Sequence, residues 1–194
     1  SAFSFKYGTT QPHDLVARAA QFGVPALAIT DRDSLAGVIR FVQAAKDFGI
    51  APIVGVNLAL DNSRVTLLAQ SGTGTDSGWR SLCRLMSALR PDRNPPNLHL
   101  EKIKTLSEYT SNLILLHGPD SQIANLITKH RPDQALHEFN KYRPYFADSV
   151  IECVSHLAPG DGPRSTGHAG RMLGFARDRS EEHTSELQSR LHLV

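Results

Sequence analysis

Charged side chains crowd the end of a short apolar segment near the amino terminus of the chain. In the stretch LAITDRDSLAG, the apolar residues 26–29 lead directly to Asp31, Arg32 and Asp33. In α/β proteins, catalytic residues commonly stand at the carboxyl ends of parallel strands. Two carboxylates at such a place are suited to holding a metal ion, and a guanidinium is suited to binding a phosphate. Either aspartate could equally cap the helix that follows or pair with Arg32, and the sequence leaves these interpretations open.

Further polar residues follow the other predicted strands. Asn57 stands near the end of one strand, His117 and Asp120 follow another, and His156 follows a third. If these strands are parallel, their carboxyl ends meet at one edge of the sheet and bring the side chains together. A metal-dependent phosphoesterase needs several histidines and carboxylates that converge on its cations. Here the acids are few and the histidines are scattered, so each residue also has an ordinary interpretation as a turn or surface residue.

The elements that must position these residues alternate between helix and strand. Apolar residues recur at helical spacing in two early segments, and Gly23 and Gly49 fit the positions just past the ends of these helices. The order helix, strand, helix, strand predicts parallel strands joined by helical crossovers. We expect helices at 12–22, 38–48, 79–89, 101–109, 122–146 and 168–177, and a break of the fifth near Pro132 is left open. Strands are expected at 26–29, 50–60, 64–70, 113–116 and 149–154, and loops at 71–78 and 90–97.

The composition is that of an ordinary globular domain. Of the 194 residues, 40% are hydrophobic and 21% are charged, and the formal net charge of +2 is too small to argue for nucleic-acid binding. No apolar run approaches the ~20 residues that a membrane helix needs, and no signal segment opens the chain, which favours a cytoplasmic protein. The two cysteines, Cys83 and Cys153, lack a CxxC spacing, and we expect buried, reduced thiols.

The final segment of the chain, RSEEHTSELQSRLHLV at residues 179–194, differs in character from everything before it. Residues 179–189 resemble the in-frame translation of a common sequencing-library adaptor. We therefore interpret 179–194 as an artefactual or disordered tail and exclude it from the fold. The expected organisation is a single domain over residues 1–178.

Several stretches of this domain match a known pattern together. They are FSFKYGTTQPHDLVARA, LAITDRDSLAG, PIVGVN, VTLLAQ, GWRSLCRLMSAL and LILLHGPDS. With them the chain resembles the PHP (polymerase and histidinol phosphatase) domain of bacterial DNA polymerase III alpha subunits of the DnaE type, in its actinobacterial or error-prone form. The resemblance implies an α/β fold, an incomplete and distorted (β/α)₇ TIM-like barrel. It also implies truncation at both ends, with the first metal motif before Ser1 and the closing strands after residue 178.

The same resemblance identifies positions that carry metal ligands in the family. Asp31 matches a ligand, but Arg32 replaces the neighbouring histidine. Asn57 replaces an acidic ligand, and Arg64 replaces a histidine at the head of the next strand. A fixed cation repels a metal ion, and a neutral amide contributes less charge to holding one. We therefore predict no catalytic residue, a vestigial ligand at Asp31 and one further candidate ligand, His156.

The resemblance implies a structural and interaction role for this fragment, which itself needs no cofactor. The parent would be a DNA-directed DNA polymerase that uses Mg²⁺ in replication or translesion synthesis. Its implied partners are the polymerase body of the same chain, a proofreading exonuclease or other replisome subunits, and DNA through the parent. The alternative is a metal-dependent phosphoesterase or 3′–5′ proofreading exonuclease, which would use Zn²⁺ or Mn²⁺. A stand-alone phosphatase of the histidinol-phosphate type is disfavoured, because residues 78–89 resemble polymerase subunits in particular.

Overall fold

The computed structural model describes residues 1–70, 77–89 and 96–182, except for the side chains of 179–182. Most of the two predicted loops, and residues 183–194 of the predicted tail, lie outside these residues. The helices are α1 (Pro12–Gln21), α2 (Val38–Asp47), α3 (Gly78–Ala88), α4 (Leu100–Thr105), α5 (Ser107–Thr110), α6 (Gln122–Thr128), α7 (Pro132–Tyr142) and α8 (Thr166–Glu182), with a 3₁₀ turn at Arg143–Tyr145. The strands are β1 (Ala26–Ile29), β2 (Ala51–Leu60), β3 (Ser63–Ala69), β4 (Asn97–Leu98), β5 (Leu113–His117) and β6 (Asp148–Ile151).

Local sequence accounts for the ends of several helices. Gly23 and Gly49 follow α1 and α2 with φ of +69°, the left-handed conformation that glycine adopts without strain, as predicted. Ser77 and Ser121 accept backbone N–H groups at the starts of α3 and α6. The break considered near Pro132 is present, because α6 ends at Thr128 and α7 starts anew at Pro132.

Within the described residues, the strands form a six-stranded mixed sheet in the order β1-β2-β3-β5-β6, with β4 paired to β2. Strands β1, β2, β5 and β6 run in the same direction, whereas β3 is antiparallel to both of its neighbours. The α/β class is confirmed, and β1 and β2 are parallel as the early helix–strand order predicts, whereas β3 is not parallel to its neighbours. The turn at Asp61 and Asn62 is too short for a helical crossover, so β2 and β3 pair as a hairpin.

This topology decides which residues meet at the edge of the sheet. The carboxyl ends of β1, β2, β5 and β6 lie at one edge, and the antiparallel β3 begins at that same edge. An arginine at the start of β3 therefore joins the residues that follow β1. The candidate functional residues therefore lie near the carboxyl ends of β1, β2, β5 and β6 and at the start of β3.

Three groups of buried apolar side chains support this edge. The largest packs β2, β3 and β5 against α3 and includes Leu58, Leu67, Leu82 and Leu115, none of which is exposed. A second group lies between α1, α2 and β1, and a third lies among α6, α7 and α8. Trp79, on α3, is 38% exposed. In the described part of the chain, no helix is both long enough and apolar enough to cross a bilayer.

Candidate functional site

Asp31 is buried just beyond β1 and accepts hydrogen bonds from the first turn of the chain. Its carboxylate accepts the Ser4 hydroxyl at 2.6 Å and the Ser1 hydroxyl at 2.7 Å, and it pairs with the Ser1 ammonium. Burial by itself would raise the pKa of Asp31, but the ammonium and the two hydroxyls outweigh burial and lower that pKa. A preceding residue would turn the ammonium into an amide, so the hydroxyls are the partners that do not depend on where the chain begins.

The capping role considered for the aspartates is wrong. Helix α2 starts after Gly37, and no side chain caps it. A Cβ on Gly37 would lie 2.8 Å from Asp31 Oδ2 and 3.0 Å from a ring carbon of Phe3. Glycine is therefore required here by the close approach of these two side chains. The carboxylate of Asp31 packs beside the helix start without a hydrogen bond to it.

The guanidinium of Arg64 joins the start of β3 to the ends of β1 and β2. Nε donates to Asn57 Oδ1 at 2.6 Å, and Nη2 donates to the backbone oxygen of Asn57 at 2.7 Å and to Asp33 Oδ1 at 2.8 Å. The side chains of Arg64 and Asp33 are only 15% and 25% exposed. Because water is largely excluded, these charge-assisted bonds are stronger than those of a surface ion pair.

The backbone conformation of Asp33 directs its carboxylate toward Arg64. Its φ of +55° lies in the left-handed region, which aspartate tolerates better than most side chains do. Its N–H donates to the backbone oxygen of Asn57 at 2.9 Å, which ties the residue to β2. The carboxylate is thus held toward Arg64 by the chain itself.

Arg32 does not pair with either aspartate, contrary to one of the interpretations considered. Its guanidinium carbon lies 3.9 Å from the ring centre of Tyr7, a cation–π contact. Its backbone N–H donates to the Ser4 hydroxyl at 2.9 Å, and its backbone forms a parallel bridge with Asn57. The side chain therefore packs on an exposed aromatic ring, and its charge is not used to neutralise the carboxylates.

A cavity with a volume of about 200 Å³ opens beside this network. Asn57, Arg64, Asp120, Glu152 and Arg164 contribute its polar lining. Arg164 pairs with Asp120 at 2.5 Å, so the cavity contains charges of both signs. Burial raises the pKa of Glu152, and the nearby Arg164 only partly opposes this effect. The lining could hold a small polar group, but it is not a uniformly acidic or basic pocket.

The predicted histidines do not converge on this cavity. His117 is 2% exposed, with Nε2 at 3.0 Å from the Ser149 hydroxyl, and its ring packs against that of Phe139. Burial lowers the pKa of His117 to about 4, so the ring is neutral near pH 7. His156 is exposed in the loop after β6, where its N–H donates to the backbone oxygen of Arg164 at 2.8 Å. It is not among the residues that line the cavity.

The donor set of the described residues does not fit a divalent cation. Over 1–70, 77–89 and 96–178, no group of three or more histidine, cysteine, aspartate or glutamate side chains is placed to hold a metal. Asn57 and Asp33 already accept hydrogen bonds from Arg64, so a metal ion would have to displace a fixed positive charge. The guanidinium itself cross-links these strand ends.

Sequence reasoning missed the ion pair between Arg64 and Asp33, which are 31 positions apart. The short turn after β2 is the sequence feature that could have predicted this pair, because it sets the register of the β2–β3 hairpin. In that register Arg64 faces Ala59, and Asn57 faces Thr66. Arg64 and Asn57 are therefore diagonal neighbours on one face of the sheet, within reach of a long side chain.

Comparison with known proteins identifies the family. The family model for the PHP domain matches residues 1–156. The chain belongs to the PHP domain family. The predicted resemblance is thereby confirmed over most of the expected domain.

Curated relatives of this PHP domain are polymerases. The chain is 33% identical over 156 residues to the DNA polymerase III subunit alpha of Buchnera aphidicola, an alignment that covers 77% of this chain and 13% of that protein. It is 36% identical over 197 residues to the error-prone DNA polymerase of Symbiobacterium thermophilum, with coverage of 91% and 17%. The chain thus spans less than a fifth of the length of these relatives.

A solved structure supports the fold of the PHP domain. A protein from Bifidobacterium adolescentis, assigned as a metal-dependent phosphoesterase, superposes with a TM-score of 0.50 and covers 89% of this chain and 80% of its own. The two sequences are only 14% identical, so the likeness extends to the fold and not to the activity.

Proposed function

We propose that this chain is the PHP domain of a bacterial DNA polymerase III alpha subunit or error-prone DNA polymerase, and that it is a non-catalytic structural and interaction module. The polymerase relatives support the first part of the proposal. The position of Arg64 carries the second part. Its guanidinium donates to the side-chain oxygen of Asn57 and to one carboxylate oxygen of Asp33. Without free carboxylates around Asp31, a cation that activates water has too few ligands.

The partners follow from this proposal. The PHP domain would pack against the polymerase body of the same chain and provide a docking surface for a proofreading exonuclease or another replisome subunit. DNA and Mg²⁺ would be bound by the parent polymerase, in the cytoplasm. Residues 1–178 would be the native portion, and 179–194 an adaptor-derived tail.

The genomic reading frame tests the polymerase assignment. If the proposal is correct, residue 178 is followed in the genome by several hundred codons for polymerase domains, and the adaptor-like segment is absent. A stop codon shortly after this position, or residues 179–194 encoded in the genome, would refute the corresponding part of the proposal.

A second candidate is a metal-dependent phosphoesterase or 3′–5′ exonuclease. The cavity beside Arg64 favours it, because the carboxyl groups of Asp120 and Glu152 line that cavity. In this candidate those groups and Asp31 would hold Zn²⁺ or Mn²⁺ after Arg64 moved away. The fold likeness to a protein assigned as a metal-dependent phosphoesterase is compatible with both candidates.

Metal analysis and nuclease assays separate the two candidates. The full chain is incubated with Zn²⁺ or Mn²⁺, freed of excess metal, and measured for bound metal and for nucleotide release from single-stranded DNA. We expect less than one metal ion in ten chains and no release. Stoichiometric metal, with release abolished by Asp31→Ala and by Glu152→Gln but not by Asp161→Asn, would establish the enzyme instead. Asp161 is the matched control because its carboxylate is 78% exposed.

A further inference from the structure

The first turn of the chain and the residues that it contacts form three pairs of an aromatic ring and a cation. We call this the aromatic–basic surface and define it as Phe3, Phe5, Lys6, Tyr7, Arg32 and Arg40. Phe5 is 82% exposed and Tyr7 is 68% exposed. Exposed apolar patches that are rimmed by polar residues mark interaction sites, which makes these rings and their neighbouring cations a candidate for one.

Each ring of this surface has its own cation. The guanidinium carbon of Arg32 lies 3.9 Å from the ring centre of Tyr7, and that of Arg40 lies 5.5 Å from the centre of Phe3. The ammonium of Lys6 lies 5.8 Å from the centre of Phe5. Each pair therefore combines flat apolar area with a positive charge.

The cations of the aromatic–basic surface are not neutralised by carboxylates. Lys6, Arg32 and Arg40 form no ion pair within the described parts of the chain. The two acids closest in sequence are engaged elsewhere, since Asp31 is 2% exposed and bonded to serine hydroxyls while Asp33 pairs with Arg64. This surface thus keeps its positive charge available for a partner.

The surface is also held in place before any partner arrives. The Ser4 hydroxyl bridges the two sides, because it accepts the N–H of Arg32 at 2.9 Å and donates to Asp31 at 2.6 Å. Phe3 packs against the start of α2, at the position where Gly37 leaves room for it. A preformed surface loses less conformational entropy on binding than a flexible one does.

We propose that the aromatic–basic surface binds single-stranded nucleic acid. Unpaired bases stack on the rings of Phe5 and Tyr7, and the phosphates between them contact Lys6, Arg32 and Arg40. A duplex keeps its bases stacked on each other and cannot offer them to these rings. A second copy of the chain is repelled by the same cations, and an acidic protein surface would leave the exposed rings without flat partners.

Fluorescence anisotropy with the full chain and a labelled 20-mer of deoxythymidine tests this proposal. The double variant Phe5→Ala/Tyr7→Ala should weaken binding by at least about tenfold, since each stacked base contributes substantially to affinity. The matched control is Phe22→Ala, which removes another exposed ring, 68% exposed and 4.5 Å from the guanidinium of Arg18, at the end of α1. The control should bind within about twofold of the unmodified chain if stacking is confined to the first turn.

Charge is tested separately from stacking. Arg40→Gln should reduce the slope of log affinity against log salt by about 0.7, the effect of one lost phosphate contact on a single strand. A duplex of the same length should bind more weakly than the single strand at every salt concentration.

Three results would overturn the proposal. They are no binding of the 20-mer at low salt, preference for the duplex, or equal loss of affinity in the Phe22→Ala control. Circular dichroism establishes that each variant is folded. The proposal goes beyond the proposed loss of phosphoesterase activity and does not depend on it, because Phe5, Tyr7 and Arg40 are not ligand positions. Failure here leaves the metal and nuclease results untouched.

Discussion

Replacing Arg64 by alanine should destabilise the fold, because this guanidinium joins three segments of the site edge. The substitution removes three hydrogen bonds of 2.6 to 2.8 Å and leaves the carboxylate of Asp33, which is 25% exposed, without its cation. A hydrogen bond to a charged group contributes about 1.5–3 kcal/mol, but water entering the adjoining cavity recovers part of each loss. We therefore expect the free energy of unfolding to fall by about 2–4 kcal/mol.

The assay is equilibrium unfolding of the full chain in urea, followed by circular dichroism and by the fluorescence of Trp79. Arg164→Ala is the matched control, since it removes the same side chain from the same cavity. Its partner Asp120 is 53% exposed, so we expect a loss of less than about 1 kcal/mol. Arg64→Lys keeps the charge without the planar fork and should fall between the unmodified chain and Arg64→Ala.

A double-mutant cycle isolates the ion pair. Asp33→Asn removes the charge while keeping a side chain that tolerates the left-handed backbone, and combining it with Arg64→Ala should give a coupling of about 1–3 kcal/mol. If Arg64→Ala costs no more than Arg164→Ala, or if the coupling is near zero, the guanidinium does not cross-link the strand ends and our account of the site is wrong.

Three further predictions concern groups away from Arg64. Burial lowers the pKa of His117 from 6.5 to about 4. Between these two pH values the imidazole is therefore protonated in the unfolded chain and neutral in the folded chain. The free energy of unfolding should therefore fall by about 2–3 kcal/mol between pH 7 and 4.5, and His117→Gln, but not the exposed His13→Gln, should remove this component. Tyr142→Phe should cost about 1–2 kcal/mol in urea unfolding, because its hydroxyl donates at 2.8 Å to the carboxylate in the β2–β3 turn. Leu115→Ala should cost about 2–5 kcal/mol from a fully buried position, while Ile39→Ala, at a side chain 71% exposed, should leave the urea midpoint nearly unchanged.

Local chemistry accounts for the features that sequence predicted well. The helix ends at Gly23 and Gly49 were predictable because glycine adopts a left-handed backbone without strain. The strand at 26–29 was predictable from its short apolar run bounded by turn residues. The family was predictable because its motifs are contiguous in the chain, and the match over residues 1–156 confirms it.

Features that depend on pairing between distant segments were predicted poorly. The antiparallel direction of β3 was not predicted, although the turn at 61–62 indicates a hairpin. Arg32 was considered a partner for the aspartates, yet it packs on Tyr7, and Arg64 pairs with Asp33 in its stead. Neighbours in sequence need not be neighbours in space, because alternate side chains of an extended segment point to opposite faces.

The sequence by itself indicated most of the elements, the family, and the residue types of Asp31, Arg32, Asn57 and Arg64, which the resemblance matches to ligand positions. Only the tertiary structure decided what those side chains contact. Hydrogen-bond partners depend on strand register and on burial, and both are set by the packing of the whole sheet. The same packing places the aromatic rings of the first turn beside two arginines that follow them by more than twenty residues. Residue types are local information, whereas a site is formed by long-range contacts.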